Sequence, residues 1–194
     1  MRRRIAGFVA FAALVASGCA PHRDAVEESA WSSLNPSSCK KVVDTSSPDE
    51  IPYLSCPGVA GYVLNVRRVE AGRLSIDVVD PSHREFPLNF QDVVTRSMCS
   101  LGDKVEWRVT SRNNQPGPDA LIVAVHARED QEDPAKITST YLAIAKITSA
   151  GVCVTDRVLQ GTIPEAGLRA LADSARNRPC APELPPASAS LHQP

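Results

Sequence analysis

Apolar and polar residues alternate with a period of two along much of the middle of the chain, as half-buried β-strands require. Residues 62–66 (YVLNV) and 74–78 (LSIDV) flank Glu70-Ala71-Gly72, a turn signal, and read as a hairpin. Residues 105–109 (VEWRV) place an apolar side chain at every second position. The cluster Asn113-Asn114-Gln115-Pro116-Gly117-Pro118 predicts a turn before 120–125 (ALIVAV), a near-continuous apolar run suited to a central strand. After an acidic loop, 141–145 (YLAIA) is a fifth strand, and Ser149-Ala150-Gly151 turns the chain into a sixth at 152–154 (VCV).

The period then changes. Thr162-Ile163-Pro164-Glu165 has the form of a helix start, with Pro in the first turn and Glu at the capping-box position. Leu168, Leu171, Ala172 and Ala175 follow at helical spacing as one apolar stripe, and Asn177 and Pro179 close the segment. The expected fold is α+β: a mostly antiparallel sheet of about six strands with one C-terminal helix packed on it, braced by disulfides.

The N-terminus follows a different logic. Arg2, Arg3 and Arg4 precede an apolar run of about a dozen residues, shorter than the ~20 that a membrane-spanning helix needs, so 1–18 reads as a signal peptide. It ends in Ala16-Ser17-Gly18-Cys19, which resembles the lipobox of bacterial lipoproteins, with Ala16 where that family prefers Leu. The resemblance implies cleavage before Cys19, lipidation of that cysteine and, because Ala20 follows it, an outer-membrane anchor facing the periplasm. An ordinary signal peptide, with Cys19 a plain thiol, is the alternative, and the arginines faintly resemble a twin-arginine signal.

Residues 19–38 are expected to be the lipidated cysteine and a flexible tether, reaching about 60–70 Å if fully extended. Trp31 within it is expected to pack loosely on the domain or at the membrane interface. Residues 39–180 form the expected globular domain, and 181–194, rich in Pro, Ala and Ser, an expected disordered tail. On this reading neither 20–38 nor 181–194 is needed for folding.

Composition narrows the function. The chain has 194 residues, 43% of them hydrophobic and 22% charged, enough for one small domain with tails. Without residues 1–18 it carries 18 basic and 22 acidic side chains, a net charge of −4. That balance argues against a nucleic-acid partner and against a polybasic membrane contact.

Five cysteines remain beyond Cys19. An exported chain meets an oxidising compartment, where disulfides are expected. Two bonds with one cysteine left over allow 15 pairings. Local economy favours Cys39–Cys56 and Cys153–Cys180, leaving Cys99 a buried, inert thiol, with an intermolecular bridge or a reactive thiol as alternatives. Cys39, the run Cys56-Pro57-Gly58-Val59-Ala60-Gly61-Tyr62, Trp107-Arg108, Cys153 and Ala172-Asp173 ahead of Cys180 resemble a group of small exported alphaproteobacterial proteins. The similarity spans about 39–180, departs at Leu171 where the group has Arg, supports the pairing and adds no chemistry.

Catalytic signals are scarce. The chain lacks GxSxG, HExxH, GxxxxGK[ST] and GxGxxG, and its cysteines and histidines lack metal-ligand spacing. No catalytic residue, metal, cofactor or nucleotide is therefore expected. His22 and His192 lie in the tails, and His126 reads as a sheet-edge side chain. Asp77, Asp80, His83, Arg84 and Glu85 form the densest polar cluster; a turn in which Asp and Ser hydrogen-bond the backbone accounts for it. Residues 129–134 (EDQEDP) lack the Gly and spacing of a calcium loop and read as solvated.

The expected function is that of a lipid-anchored envelope protein, a non-enzymatic binding or assembly accessory whose partners are the membrane and another envelope protein. The alternatives are an inhibitor of an extracytoplasmic hydrolase such as lysozyme, acting through Ser82-His83-Arg84-Glu85, and an enzyme of unfamiliar type.

Overall fold

The computed structural model describes residues 27–43, 51–70, 72–112 and 115–186. Ten strands form one sheet: β1 (Glu27–Ser33), β2 (Lys40–Val43), β3 (Pro52–Pro57), β4 (Val63–Glu70), β5 (Arg73–Val79), β6 (Glu85–Pro87), β7 (Met98–Arg112), β8 (Gln115–Arg128), β9 (Ser139–Thr148) and β10 (Gly151–Leu159). A four-residue helix α1 (Phe90–Val93) precedes β7, and α2 (Glu165–Ser174) follows β10. The strand order is β10-β9-β8-β7-β5-β4-β3-β2, with β1 added on β7 and β6 on β5.

The α+β class holds, but the sheet is larger than the expected six strands and is mixed. β1, β2, β3 and β6 were not legible, because they are short or polar-faced: β2 (KKVV) is almost wholly exposed and β1 reads EESAWSS. β5 and β7 meet in parallel at a single pair, Arg73 and Cys99, and every other ladder is antiparallel. The long connection through β6 and α1 allows that parallel placement, which a tight hairpin cannot.

Alternation on β7, β8 and β9 sends side chains to two cores. On one face Val105, Trp107, Leu121, Val123, Val125, Ala143 and Ala145 pack with Leu64, Ile76 and Val78 of the β4–β5 hairpin and with Phe90. On the other, Ala120, Ile122 and Ile144 receive Leu168, Ala172 and Ala175 from α2 and the turn after it, with Leu171 at the margin. This is the predicted apolar stripe. Its start differs, however: Pro164 is the N-cap and makes no side-chain cap bond, while Thr162 Oγ1 donates to the Leu159 carbonyl at 2.7 Å.

The expected tether is a correction. Residues 27–33 are β1, paired along β7 from Glu27 opposite Thr110 to Ser33 opposite Lys104. Trp107, fully buried, donates its Nε1–H to Ser32 Oγ at 2.8 Å, and Leu34 is buried. Sequence hid this strand because its stability comes from the partner ladder and polar contacts rather than an apolar face of its own. The tail also begins later than expected: the Ala181 N–H donates to the Val154 carbonyl at 2.7 Å, and the Leu184 N–H to the Asp92 carbonyl at 2.6 Å. Cys19, residues 20–26 and 187–194 lie outside the described residues.

Two further local expectations change. Pro116, Gly117 and Pro118 belong to β8, opposite Ser111, Thr110 and Val109, leaving only 113–114 between the strands. His126 is not on a sheet edge, since β8 lies between β7 and β9.

Disulfides join Cys39 to Cys56 and Cys153 to Cys180, the expected pairing. The first ties the start of β2 to β3, and the second ties β10 to the segment after α2. Cys99 is free and buried; burial pushes its thiol up, and Sγ donates to the Leu74 carbonyl at 3.4 Å.

Candidate functional site

A cavity of about 530 Å³ lies on the α2 side of the sheet. Its floor follows from strand periodicity. Gly102, Lys104 and Glu106 of β7 share a face with Ile122, Ala124 and His126 of β8, and Leu142 of β9 pairs with Ala124. α2 covers Ile122 with Leu168 but stops short of Ala124, His126 and Leu142, so an open groove remains beyond its first turn.

Two features deepen the groove. The β7–β8 register shifts between Leu101 and Val105, so that residues 102–104 bulge opposite Ala124. Gly102 keeps that bulge close: a Cβ there would stand 3.0 Å from the Ala124 Cβ and 3.7 Å from His126 Nε2. Trp31 forms one wall, about half exposed, with Lys104 Nζ 4.4 Å from its ring centroid. A ring held by a strand ladder and a cation–π contact is a preformed platform, with little conformational freedom left to lose on binding.

Beneath the wall lies a buried ionic network. Glu106, only 5% exposed, accepts hydrogen bonds from Ser29 Oγ and from Arg169 Nε, the latter at 2.6 Å. That bond raises Arg169 above the usual guanidinium value, and Arg169 also pairs with Glu165 at the rim. Arg108 donates to Ser29 Oγ at 2.5 Å and reaches Asp173 on α2. Paired and hydrogen-bonded charges of this kind fix β1, β7 and α2 in one arrangement. His126 Nδ1 lies 2.9 Å from Thr140 Oγ1, leaving Nε2 on the groove side.

A smaller cavity of about 280 Å³ lies at the opposite end of β7, lined by Tyr62, Arg84, Thr110, Asp119 and Arg176 among others. Asp119 accepts from Thr110 Oγ1 at 2.5 Å and from Arg176 Nη1 at 2.9 Å. Burial, then the nearby Asp80 charge, pushes the Tyr62 phenol up.

The polar cluster predicted from sequence divides in two. Asp80 holds a turn: Oδ1 accepts the N–H groups of Ser82 and Arg84 at 2.8 and 3.0 Å, and Oδ2 accepts Arg84 Nε at 2.8 Å. These bonds outweigh desolvation and keep its carboxyl below the usual range. Asp77 and Glu85 instead share Arg67, at 2.5 and 2.9 Å. Burial pushes Asp77 up; Glu85 resists its own burial through bonds from Asn65 and Arg67 and stays low. His83, at φ +64°, belongs to the Asp80 turn, its N–H donating to the Asp80 carbonyl at 2.9 Å while the residue is exposed. In the acidic loop Asp130 accepts the N–H groups of Glu132 and Asp133 and pairs with Lys136 at 3.0 Å.

Sequence reasoning missed the groove. Its signal was present in the matching alternation of 102–106 and 122–126, but only strand pairing places them side by side and brings Trp31 to them. No protein-family model matches the chain, and neither a curated protein nor a solved structure matches it.

Proposed function

We propose that the chain is an exported lipoprotein of the bacterial envelope, acylated at Cys19 and held at the outer membrane facing the periplasm, which acts by contact as a non-enzymatic binding or assembly accessory. The groove between Trp31, β7, β8 and the start of α2 is its contact surface. The observation that carries this reading is the groove itself: an open cavity of about 530 Å³ where apolar Ile122, Ala124 and Leu142 lie among a few polar groups beside a rigid aromatic wall, the usual form of a recognition site. The two disulfides agree with an oxidising compartment.

Site-specific photo-crosslinking in cells tests it. A photoreactive residue at Lys104 or Leu142 is expected to capture one discrete envelope component, and Trp31→Ala to abolish the adduct without lowering the melting temperature by more than a few degrees. Adducts formed from Ser82 or His83, with none from the groove, would favour the hydrolase-inhibitor reading instead.

A further inference from the structure

We infer that the turn end of the sheet, around Gln115 and Gly117, faces the bilayer that carries the anchor, and that the acidic 129–133 loop points away from it. The inference rests on the reading of Cys19 as acylated and adds which surface meets the lipid. Its first support is register. β1 starts at Glu27 opposite Thr110 and runs toward Lys104, so the chain enters the domain beside the β7–β8 turn. Cys19 is eight residues upstream of Glu27. That length spans at most about 29 Å. Arg128, at the far end of β8, is eleven residues beyond Gly117, or about 37 Å along the strand. The anchor is therefore long enough to leave the turn end near the membrane and too short to lay the other end on it without tipping the domain over.

Charge provides a second, independent support. The β5–β6 turn and the end of α2 converge on this same end, where Arg84 Nη1 reaches the Ser149 carbonyl at 3.5 Å. The side chains of Arg84 and Arg176 there are 56% and 40% exposed, whereas those of their acidic partners Asp80 and Asp119 are only 7% and 9% exposed. These two pairs thus turn their cationic members outward, with Glu28, exposed opposite Val109, the acid beside them. At the opposite end Glu129, Glu132 and Asp133 are exposed, and Lys136 in the same loop pairs with Asp130. Anionic headgroups attract the first end and repel the second.

Energy transfer tests the orientation. The acylated full chain, with an azide-bearing amino acid coupled to a donor dye at Gln115 or at Glu132, is reconstituted in phosphatidylethanolamine–phosphatidylglycerol vesicles carrying an acceptor on a headgroup. Transfer from position 115 is expected to exceed that from 132 severalfold, and a long Gly-Ser insertion before Glu27 to narrow the difference to the part that added salt removes. Equal transfer, or stronger transfer from 132, with mass spectrometry showing acylated Cys19, overturns the orientation alone. Cys19 without lipid overturns the orientation and the anchor reading together.

Discussion

Arg108 on β7 grips Asp173 on α2 with two parallel hydrogen bonds, Nε to Oδ1 at 2.5 Å and Nη2 to Oδ2 at 3.1 Å. The Arg108 side chain is 8% exposed and that of Asp173 21%, so the pair sits largely out of water between sheet and helix. Removing only the acid strips a buried guanidinium of its bidentate partner and leaves it Ser29 Oγ and the Glu106 carboxylate 3.9 Å away, which costs about 3 kcal/mol. Asp173→Ala is expected to lose that much in urea unfolding, and Arg108→Met with Asp173→Ala to lose less than Asp173→Ala alone. Equal or larger loss in the double variant would show that the charge itself is not the cost.

Residues 27–38 are expected to be required for stability, reversing the sequence expectation. β1 forms a seven-residue ladder with β7, Ser29 joins Glu106 and Arg108, and Leu34 is buried. A chain spanning 39–186 should melt at least ~4 °C below one spanning 27–186, since over 1 kcal/mol of packing is lost and each kcal/mol moves a domain of this size by about 2–4 °C. Coincident melts would mean that β1 is an ornament of the fold.

Gly58 is expected to reject a methyl group. A Cβ there would stand 2.8 Å from the Tyr62 carbonyl oxygen and 2.9 Å from Trp107 Cζ2, and Trp107 is fully buried and cannot retreat. Gly58→Ala should destabilise by about 1–3 kcal/mol and alter the near-ultraviolet signal of Trp107. An unchanged midpoint would refute this close contact.

The two disulfides should contribute separately. Cys39–Cys56 closes a separation of 17 residues and Cys153–Cys180 one of 27. On the chain-entropy account their removal costs about 3 and about 3.5 kcal/mol. Paired Cys→Ala variants compared by urea titration should rank in that order, and non-reducing peptide mapping of the parent chain should find Cys99 unlinked.

Asp80 should make stability acid-sensitive. Its folded carboxyl lies below the ordinary value, so the stability it adds is fully present above the unfolded pKa of about 3.9 and is lost as pH falls through the folded one. The stability difference between the parent chain and Asp80→Asn should thus stay constant from pH 7 to about 5 and shrink below about 4. A difference that grew on acidification would contradict the turn geometry.

What the sequence determined by itself are features carried by local periodicity and short separation. The β4–β5 hairpin, the long strands around Trp107 and Leu121, the apolar stripe of α2 and the pairing of nearby cysteines all follow from side chains that choose their environment within a few residues. Tertiary structure decided the rest. β1 has no apolar face and exists because β7 offers it an unpaired edge, so a stretch resembling a tether becomes part of the domain. The groove arises because a bulge at 102–104, a short helix and Trp31, more than seventy residues from its wall partners in sequence, meet on one face. Likewise Glu106 and Arg108 look like ordinary solvent-facing strand residues until Ser29, Arg169 and Asp173 arrive from both ends of the chain. Hydrophobic pattern records which residues leave water; it does not record which distant partner makes a buried charge or a polar strand stable.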